Sequence, residues 1–111
     1  ALETGSDVPA IPDPVAVLLY KSIQELLANV AKHAHAQRAV VRIGLQGDLL
    51  RVEVGDDGNG FDPQTLEAGA TDERFGLFSI RERIRYLGGT MEVRSAAGRG
   101  TTVVLLAPTH L

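Results

Sequence analysis

The placement of glycine constrains this chain more than any other feature of its sequence. Nine of its 12 glycines lie at or after Gly55, and most of them fall in tight groups. Each group marks either a turn or a close approach of the backbone to another group. The groups are Gly55-Asp56-Asp57-Gly58-Asn59-Gly60, Gly69 with Gly76, Gly88-Gly89 and Gly98-Arg99-Gly100. Functional residues are therefore expected at these positions.

The longest predicted element is a helix over residues 13–35. Asp13 is its predicted N-cap, with Pro14 at the first helical position. One face carries regularly spaced apolar residues, which are predicted to meet a core: Leu19, Ile23, Leu26, Leu27, Val30 and Ala34. Residues 1–12 are predicted to form an N-terminal lead-in or an edge strand, so that the main domain covers residues 13–111.

Two β-hairpins and a second helix follow. Apolar residues alternate over residues 38–46 and 50–54 around a turn at Gly47-Asp48, and a second alternation over residues 91–108 turns at Gly98-Arg99-Gly100. Helical spacing over residues 77–87 is ended by Gly88-Gly89. The order α, ββ, α, ββ predicts an α+β fold, with helices on one face of a mixed, mostly antiparallel sheet. Residues 62–75 show no period and are predicted to form a mobile lid.

Composition excludes several classes of function. The 111 residues contain no cysteine, so a disulfide, a thiolate zinc site and a cysteine nucleophile are all excluded. Any metal must be held by oxygen or imidazole, and oxygen ligands favour magnesium. A net charge of −3 with scattered Lys and Arg supplies no basic field for nucleic acid or anionic lipid. No stretch approaches the roughly 20 apolar residues of a membrane span. We expect a soluble, cytoplasmic domain that contacts neither nucleic acid nor membrane.

The first candidate site is a polar stripe on the first helix. Glu25, Asn29 and Lys32 are spaced by four and three residues, so their side chains share one face, and His33 adjoins them. An amide oxygen suits Mg²⁺, an ammonium suits phosphate, and a carboxylate one turn away can orient or deprotonate a nucleophile. The alternative for this stripe alone is a solvated helix face with two spaced pairs.

The second candidate is Asp56-Asp57-Gly58-Asn59-Gly60-Phe61, which directly follows a predicted strand. A buried Asp can accept a hydrogen bond from an exocyclic amine and so select adenine over guanine, while the glycines let the backbone approach a flat ligand. Since Asp, Gly and Asn are also the preferred turn residues, a plain turn is the alternative.

Two further groups could contact phosphate. In Phe75-Gly76-Leu77 a glycine is predicted to open a helix, whose free N–H groups can hold phosphate oxygens. In Gly98-Arg99-Gly100-Thr101 a hydroxyl follows a tight turn, where it is either a phosphate contact or part of a simple hairpin. The chain contains neither G-x-x-x-x-G-K-[ST] nor a G-x-G-x-x-G after a strand.

Together these groups resemble the gyrase, Hsp90, histidine kinase and MutL (GHKL) superfamily. The stretch from Glu25 to Ala34 resembles its N box, Asp56 to Phe61 its D-x-G-x-G box, and Phe75-Gly76-Leu77 its G-L box. Leu87-Gly88-Gly89 and Gly98-Arg99-Gly100-Thr101-Thr102-Val103 complete the pattern, and the order of all of these is that of the family. The Lys-His-Ala ending of the N box and Arg81-Glu82-Arg83 resemble sensor histidine kinases that pair with LuxR-type response regulators.

The resemblance implies a Bergerat fold, a two-layer α/β sandwich that holds ATP between helices and sheet. It implies that Asn29 binds magnesium, that Lys32 and His33 lie near the phosphates, and that Glu25 acts at the transfer step. Asp56 would hold the adenine amine, and Thr101 would lie beside the adenine or its bridging water. Gly58, Gly60, Gly76 and Leu77 would line the nucleotide and the lid hinge. Arg74 departs from the family, because many relatives have glycine there.

The sequence thus predicts an ATP-dependent protein histidine kinase domain with ATP and Mg²⁺ as cofactors. His33, His35 and His110 lack the context of a phosphoacceptor. We therefore expect transfer to a histidine on a separate dimerisation domain of a homodimeric parent, with a response regulator downstream and no autophosphorylation by this chain alone. The alternatives are an anti-sigma-factor type serine kinase and a non-catalytic nucleotide-binding module.

Overall fold

The structure is a computed structural model that describes residues 2–4, 11–31, 36–60 and 72–110. Two predicted site residues, Lys32 and His33, lie outside the described residues. So do residues 61–71, which include most of the predicted lid.

Five strands and two helices make up the described part of the chain. In order they are β1 (Leu2–Thr4), α1 (Asp13–Asn29), β2 (Ala39–Gln46), β3 (Leu49–Asp56), α2 (Asp72–Tyr86), β4 (Thr90–Ser95) and β5 (Thr101–Pro108). The strands form one sheet in the order β1-β2-β3-β5-β4. The β1 strand runs parallel to β2, and every other neighbouring pair is antiparallel. The predicted α+β class, with a mixed and mostly antiparallel sheet, is confirmed.

The core lies between the two helices and one face of the sheet. Alternate residues of β3 and β5 point toward the helices, as the period of a strand requires, and the helices bury residues at helical spacing. The buried core residues are Val15, Leu19, Leu26, Val41, Leu50, Val52, Val54, Leu77, Ile80, Ile84, Val103, Leu105 and Ala107. Both predicted hairpins are confirmed, and Gly47 takes the positive φ of 61° that the first turn needs.

The beginning of α1 differs from the prediction by one residue. Pro12, not Asp13, is the N-cap, and its carbonyl oxygen accepts the N–H of Ala16 at 3.0 Å. No side chain caps the helix, and Asp13 is its first helical residue. An acidic side chain in the first turn still favours the helix, because it faces the positive end of the helix dipole.

The beginning of α2 differs more. The helix begins at Asp72, so residues 72–75 of the predicted lid are helical, and Gly76 is the fifth helical residue rather than the first. The prediction that Gly76 opens the helix and offers free N–H groups there is therefore wrong. The missing apolar period over these residues concealed the first turn. At its other end the helix ends as predicted, with Gly88 at a φ of +86°.

Within the described residues, the helices are too short or too polar to cross a bilayer.

Candidate functional site

A polar row crosses the inner face of the sheet at one end. The register pairs Ala39 with Asp56, Asp56 with Thr101, and Thr101 with Ser95. Residues paired directly across antiparallel strands share a face. The next row toward the middle of the sheet is apolar: Val41, Val54, Val103 and Val93. The apolar core therefore ends at a row that contains one carboxylate and two hydroxyls.

The carboxylate of Asp56 is held in a fixed orientation. Its Oδ1 accepts the backbone N–H of Gly58 at 2.8 Å. In the part of the chain that the structure describes, this is the only hydrogen bond of the side chain. The residue is half-buried at the end of β3. Oδ2 therefore remains available as an acceptor for a ligand.

The neighbouring Asp57 has a different role. Its Oδ1 accepts the backbone N–H groups of Gln37 and Arg38, at 2.8 and 3.0 Å. The bond from Arg38 is the main reason why the pKa of the Asp57 carboxyl lies below its ordinary value. Asp57 thus connects the residues that directly precede β2 to the loop that carries Asp56.

Two glycines allow the loops at this end to pack against each other. Gly60 and Gly100 have φ values of 66° and 77°. A Cβ on Gly100 would collide with the carbonyl oxygen of Asp56, and one on Gly60 with that of Ala96. The N–H of Gly98 also donates to the carbonyl oxygen of Asn59. These contacts give the two glycines a packing role, and their predicted place beside a nucleotide stays a prediction.

Asn29 lies where α1 meets α2. Its amide faces Gly76, where a Cβ would lie 3.5 Å from Nδ2. Nδ2 is buried and has no hydrogen-bond partner among the described residues. A buried polar group without a partner is destabilising, and this often marks a group that bonds to a ligand. The polar side chain that was predicted to meet a metal is thus held in the crevice between the helices with unused hydrogen-bonding capacity.

Glu25 is paired with a residue that sequence reasoning did not place in the site. The Nη2 of Arg83 donates to its Oε1 at 3.1 Å and links α1 to α2. The side chains of Glu25 and Arg83 are 42% and 27% exposed, so the pair borders solvent. Arg83 lies seven residues after Gly76, which is nearly two full helical turns. That spacing could have indicated that Arg83 and Gly76 face α1 together.

Ser95 was missed as well. Its Oγ donates to the carbonyl oxygen of Gly100 at 3.0 Å and lies 2.8 Å from Oγ1 of Thr101. The predicted hairpin could have indicated this contact, because Ser95 and Thr101 flank the turn at Gly98-Arg99-Gly100 and are paired across it.

The predicted site residues thus form two groups. Asp56, Gly58 and Thr101 meet at the end of the sheet. Glu25, Asn29 and Gly76 meet along the crevice between the helices. Leu77 is 6% exposed and belongs to the core.

Comparison with known proteins decides the family. Residues 15–111 match the family model described as "Histidine kinase-, DNA gyrase B-, and HSP90-like ATPase". The chain belongs to this family. The resemblance to the GHKL superfamily is confirmed, and the chain is an ATPase domain of the type found in sensor histidine kinases.

The curated relatives of this ATPase domain carry the names of sensor kinases. The sensor histidine kinase LiaS of Bacillus subtilis is 35% identical over 99 residues, which is 89% of this chain and 26% of that protein. The histidine-protein kinase/phosphatase UhpB of Salmonella typhimurium is 33% identical over 104 residues, or 94% of this chain and 20% of that protein. The chain thus spans about a quarter or less of their length. These matches favour neither the serine kinase nor the non-catalytic module.

Solved structures agree with the fold. The blue-light activated histidine kinase of Erythrobacter litoralis matches 97% of this chain, and 35% of its own, with a TM-score of 0.77 and 25% identity. The histidine kinase AdeS of Acinetobacter baumannii has a TM-score of 0.79 over 98% of this chain and 53% of its own. At 15% identity, the second match supports the fold alone.

Proposed function

We propose that this domain binds Mg-ATP in the space between the polar end of the sheet and the crevice between α1 and α2, and transfers the γ-phosphate to a histidine. The acceptor histidine lies on a dimerisation domain of a homodimeric parent kinase. A response regulator, of the LuxR type by resemblance, then receives the phosphoryl group. The domain acts in the cytoplasm, in a parent of which it is one part.

The observation that carries this proposal is the state of Asp56. Its carboxylate sits at the edge of an apolar core, is oriented by Gly58, and keeps one oxygen available. An adenine ring needs this combination: an apolar surface for the ring and an acceptor for its exocyclic amine. Guanine carries a carbonyl oxygen at the equivalent position, which a carboxylate repels.

The residues of the helix crevice fit the other end of the nucleotide. The amide of Asn29 would hold the metal through its oxygen, as hard cations prefer. A bound Mg²⁺ would neutralise charge on the phosphates during transfer. Lys32 and His33, which follow Asn29 in the sequence, are proposed to lie near the phosphates. Glu25 would orient the incoming histidine, with Arg83 holding its carboxylate in place.

Calorimetric titration of the chain with ATP and GTP, with and without Mg²⁺, tests the proposal. Wild-type chain is expected to bind ATP and not GTP. Asp56→Asn is expected to weaken ATP binding roughly 100-fold, since a buried hydrogen bond to a charged group contributes about 1.5–3 kcal/mol. Because Gly58 donates to Oδ1, the new amide would turn its NH₂ toward the adenine amine, and two donors would face each other.

Asp48→Asn is the matched control. It removes the same charge from an exposed turn at the opposite end of the sheet. ATP affinity should be unchanged in this variant. A folded wild-type chain that binds no ATP, or an Asp56→Asn variant that binds ATP as tightly as the control, would overturn the proposal.

A further inference from the structure

Ser95 and Thr101 share a hydrogen bond, and a second contact of Ser95, with the carbonyl oxygen of Gly100, bears on its direction. The Oγ of each lies 2.8 Å from the other, and Ser95 Oγ also lies 3.0 Å from the carbonyl oxygen of Gly100. A carbonyl oxygen can only accept, and a serine hydroxyl has one proton. When the proton of Ser95 goes to Gly100, as the 3.0 Å contact allows, the proton between the two hydroxyls comes from Thr101.

This direction fixes what Thr101 can offer to a ligand. Once its proton is committed to Ser95, Oγ1 of Thr101 has only lone pairs left. Thr101 therefore acts toward the site as an acceptor and not as a donor. A threonine without this neighbour could rotate its hydroxyl and serve as either.

The acceptor lies beside the one on Asp56. Thr101 and Asp56 are paired directly across β5 and β3, on the same face of the sheet. The free Oδ2 of Asp56 and the lone pairs of Thr101 thus form two neighbouring acceptors. An amino group carries two protons and matches such a pair, whereas a carbonyl oxygen matches neither member.

We infer that Ser95 is a positioning residue that makes Thr101 an obligate acceptor, and that the pair contributes to the selection of a 6-amino purine over a 6-oxo purine. The inference rests on the proposed function, since it concerns the base in the same nucleotide site. Ser95 itself need not touch the nucleotide, because it acts through the hydroxyl of Thr101.

The test compares ATP with ITP, which differ at position 6 of the purine and in the proton on N1, and which both lack the 2-amino group of GTP. Calorimetry gives the dissociation constant of ITP divided by that of ATP, for the wild-type chain and for Ser95→Ala. The ratio should fall roughly five- to tenfold in the variant, as expected for one misdirected hydrogen bond, because a freed Thr101 can donate to the 6-oxo group. A purely structural role would weaken both nucleotides alike and leave the ratio unchanged.

Three further variants sharpen the result. Ser95→Thr keeps a hydroxyl and should keep the wild-type ratio, whereas Ser95→Cys keeps the volume with a weak donor and should lower it. Ser95→Cys also serves if Ser95→Ala does not fold. Thr90→Val removes an exposed hydroxyl from the other end of the same strand and should leave the ratio unchanged.

The outcomes distinguish a failure of the proposed function from a failure of the role of Ser95. If the wild-type chain binds neither nucleotide, the proposed function fails and this inference fails with it. If the wild-type chain selects ATP but folded Ser95→Ala and Ser95→Cys keep the same ratio, only the role of Ser95 is overturned.

Discussion

The two ends of the sheet are built differently. At one end β2 turns into β3 through Gly47-Asp48, and the buried hydroxyl of Thr109 donates to the carbonyl oxygen of Asp48 at 2.8 Å. At the other end Oδ1 of Asp56 accepts the N–H of Gly58, and among the described residues Oδ2 has no partner. Among the described residues, the buried hydroxyl of the first end thus has a partner within the chain, whereas one carboxylate oxygen of the second end has none.

The difference distinguishes residues with a structural role from those proposed to bind the nucleotide. A polar group that finds its partner inside the chain contributes to stability and has little left for a ligand. A polar group that is fixed in position but lacks a hydrogen-bond partner destabilises the folded chain, and a ligand that supplies the partner removes this cost. We call the two regions the turn end, around Gly47, Asp48 and Thr109, and the site end, around Asp56, Gly100 and Thr101.

The largest expected effect comes from glycine substitution at the two ends. Gly100 and Gly47 both have positive φ, 77° and 61°, but a Cβ on Gly100 collides with the backbone of Asp56, whereas one on Gly47 meets nothing within 4 Å. Gly100→Ala should therefore lower the free energy of unfolding by about 3 kcal/mol or more, through strain and overpacking together. Gly47→Ala should lower it by about 1–2 kcal/mol, through backbone strain alone.

Chemical denaturation of both variants measures these free energies. If both variants lose the same free energy of unfolding, the added Cβ of Gly100→Ala meets no more resistance than that of Gly47→Ala. The loops of the site end would then not be packed as described.

The sequence predicted the hairpins and the core because period and turn chemistry are local. Alternation around Gly47-Asp48 was enough to place β2 and β3, and Asp56 was found because it directly follows β3. The neighbours of these residues were not local. The pairing of Asp56 with Thr101 depends on β5 lying beside β3, and the ion pair of Glu25 with Arg83 joins residues 58 apart in sequence. Neither contact can be predicted from a short stretch of sequence.

Substitution of Arg83 should lower the free energy of unfolding less than Gly100→Ala does. Arg83 joins two helices at 3.1 Å, while Arg85 lies 3.7 Å from Glu82 on the same helix, where both side chains are more than half exposed. Arg83→Ala should lower the free energy of unfolding by about 1 kcal/mol, and Arg85→Ala by a few tenths at most. In a complete kinase Arg83→Ala should also slow transfer while ATP affinity stays unchanged.

Thermal and chemical unfolding of the two variants provide the check on stability. An Arg85→Ala loss as large as that of Arg83→Ala would show that the link between the helices does not help to stabilise the crevice.

The smallest expected effect is the acid dependence that Asp57 contributes. Backbone N–H groups, chiefly that of Arg38, hold the pKa of this carboxyl in the folded chain below its unfolded value of about 3.9. Its stabilising contribution is therefore complete above that unfolded value and is lost as the pH falls through the lower folded value. Asp57→Asn keeps an acceptor but loses the charge. It should be less stable than wild type at pH 7, and the difference should shrink below about pH 4.

Denaturation curves at pH 7, 5 and 3 follow this difference. A gap between wild type and Asp57→Asn that stays constant to pH 3 would show that the charge does not strengthen the link to β2.

The site end, and not the turn end, is proposed to receive the nucleotide. Two-dimensional ¹H–¹⁵N NMR of the chain, titrated with Mg-ATP, tests this proposal most directly. We predict saturable shifts of the amides of Gly58, Gly100 and Thr101, with those of Gly47, Asp48 and Thr109 unmoved. Saturable shifts confined to the turn end, or none at either end at millimolar Mg-ATP, would contradict it.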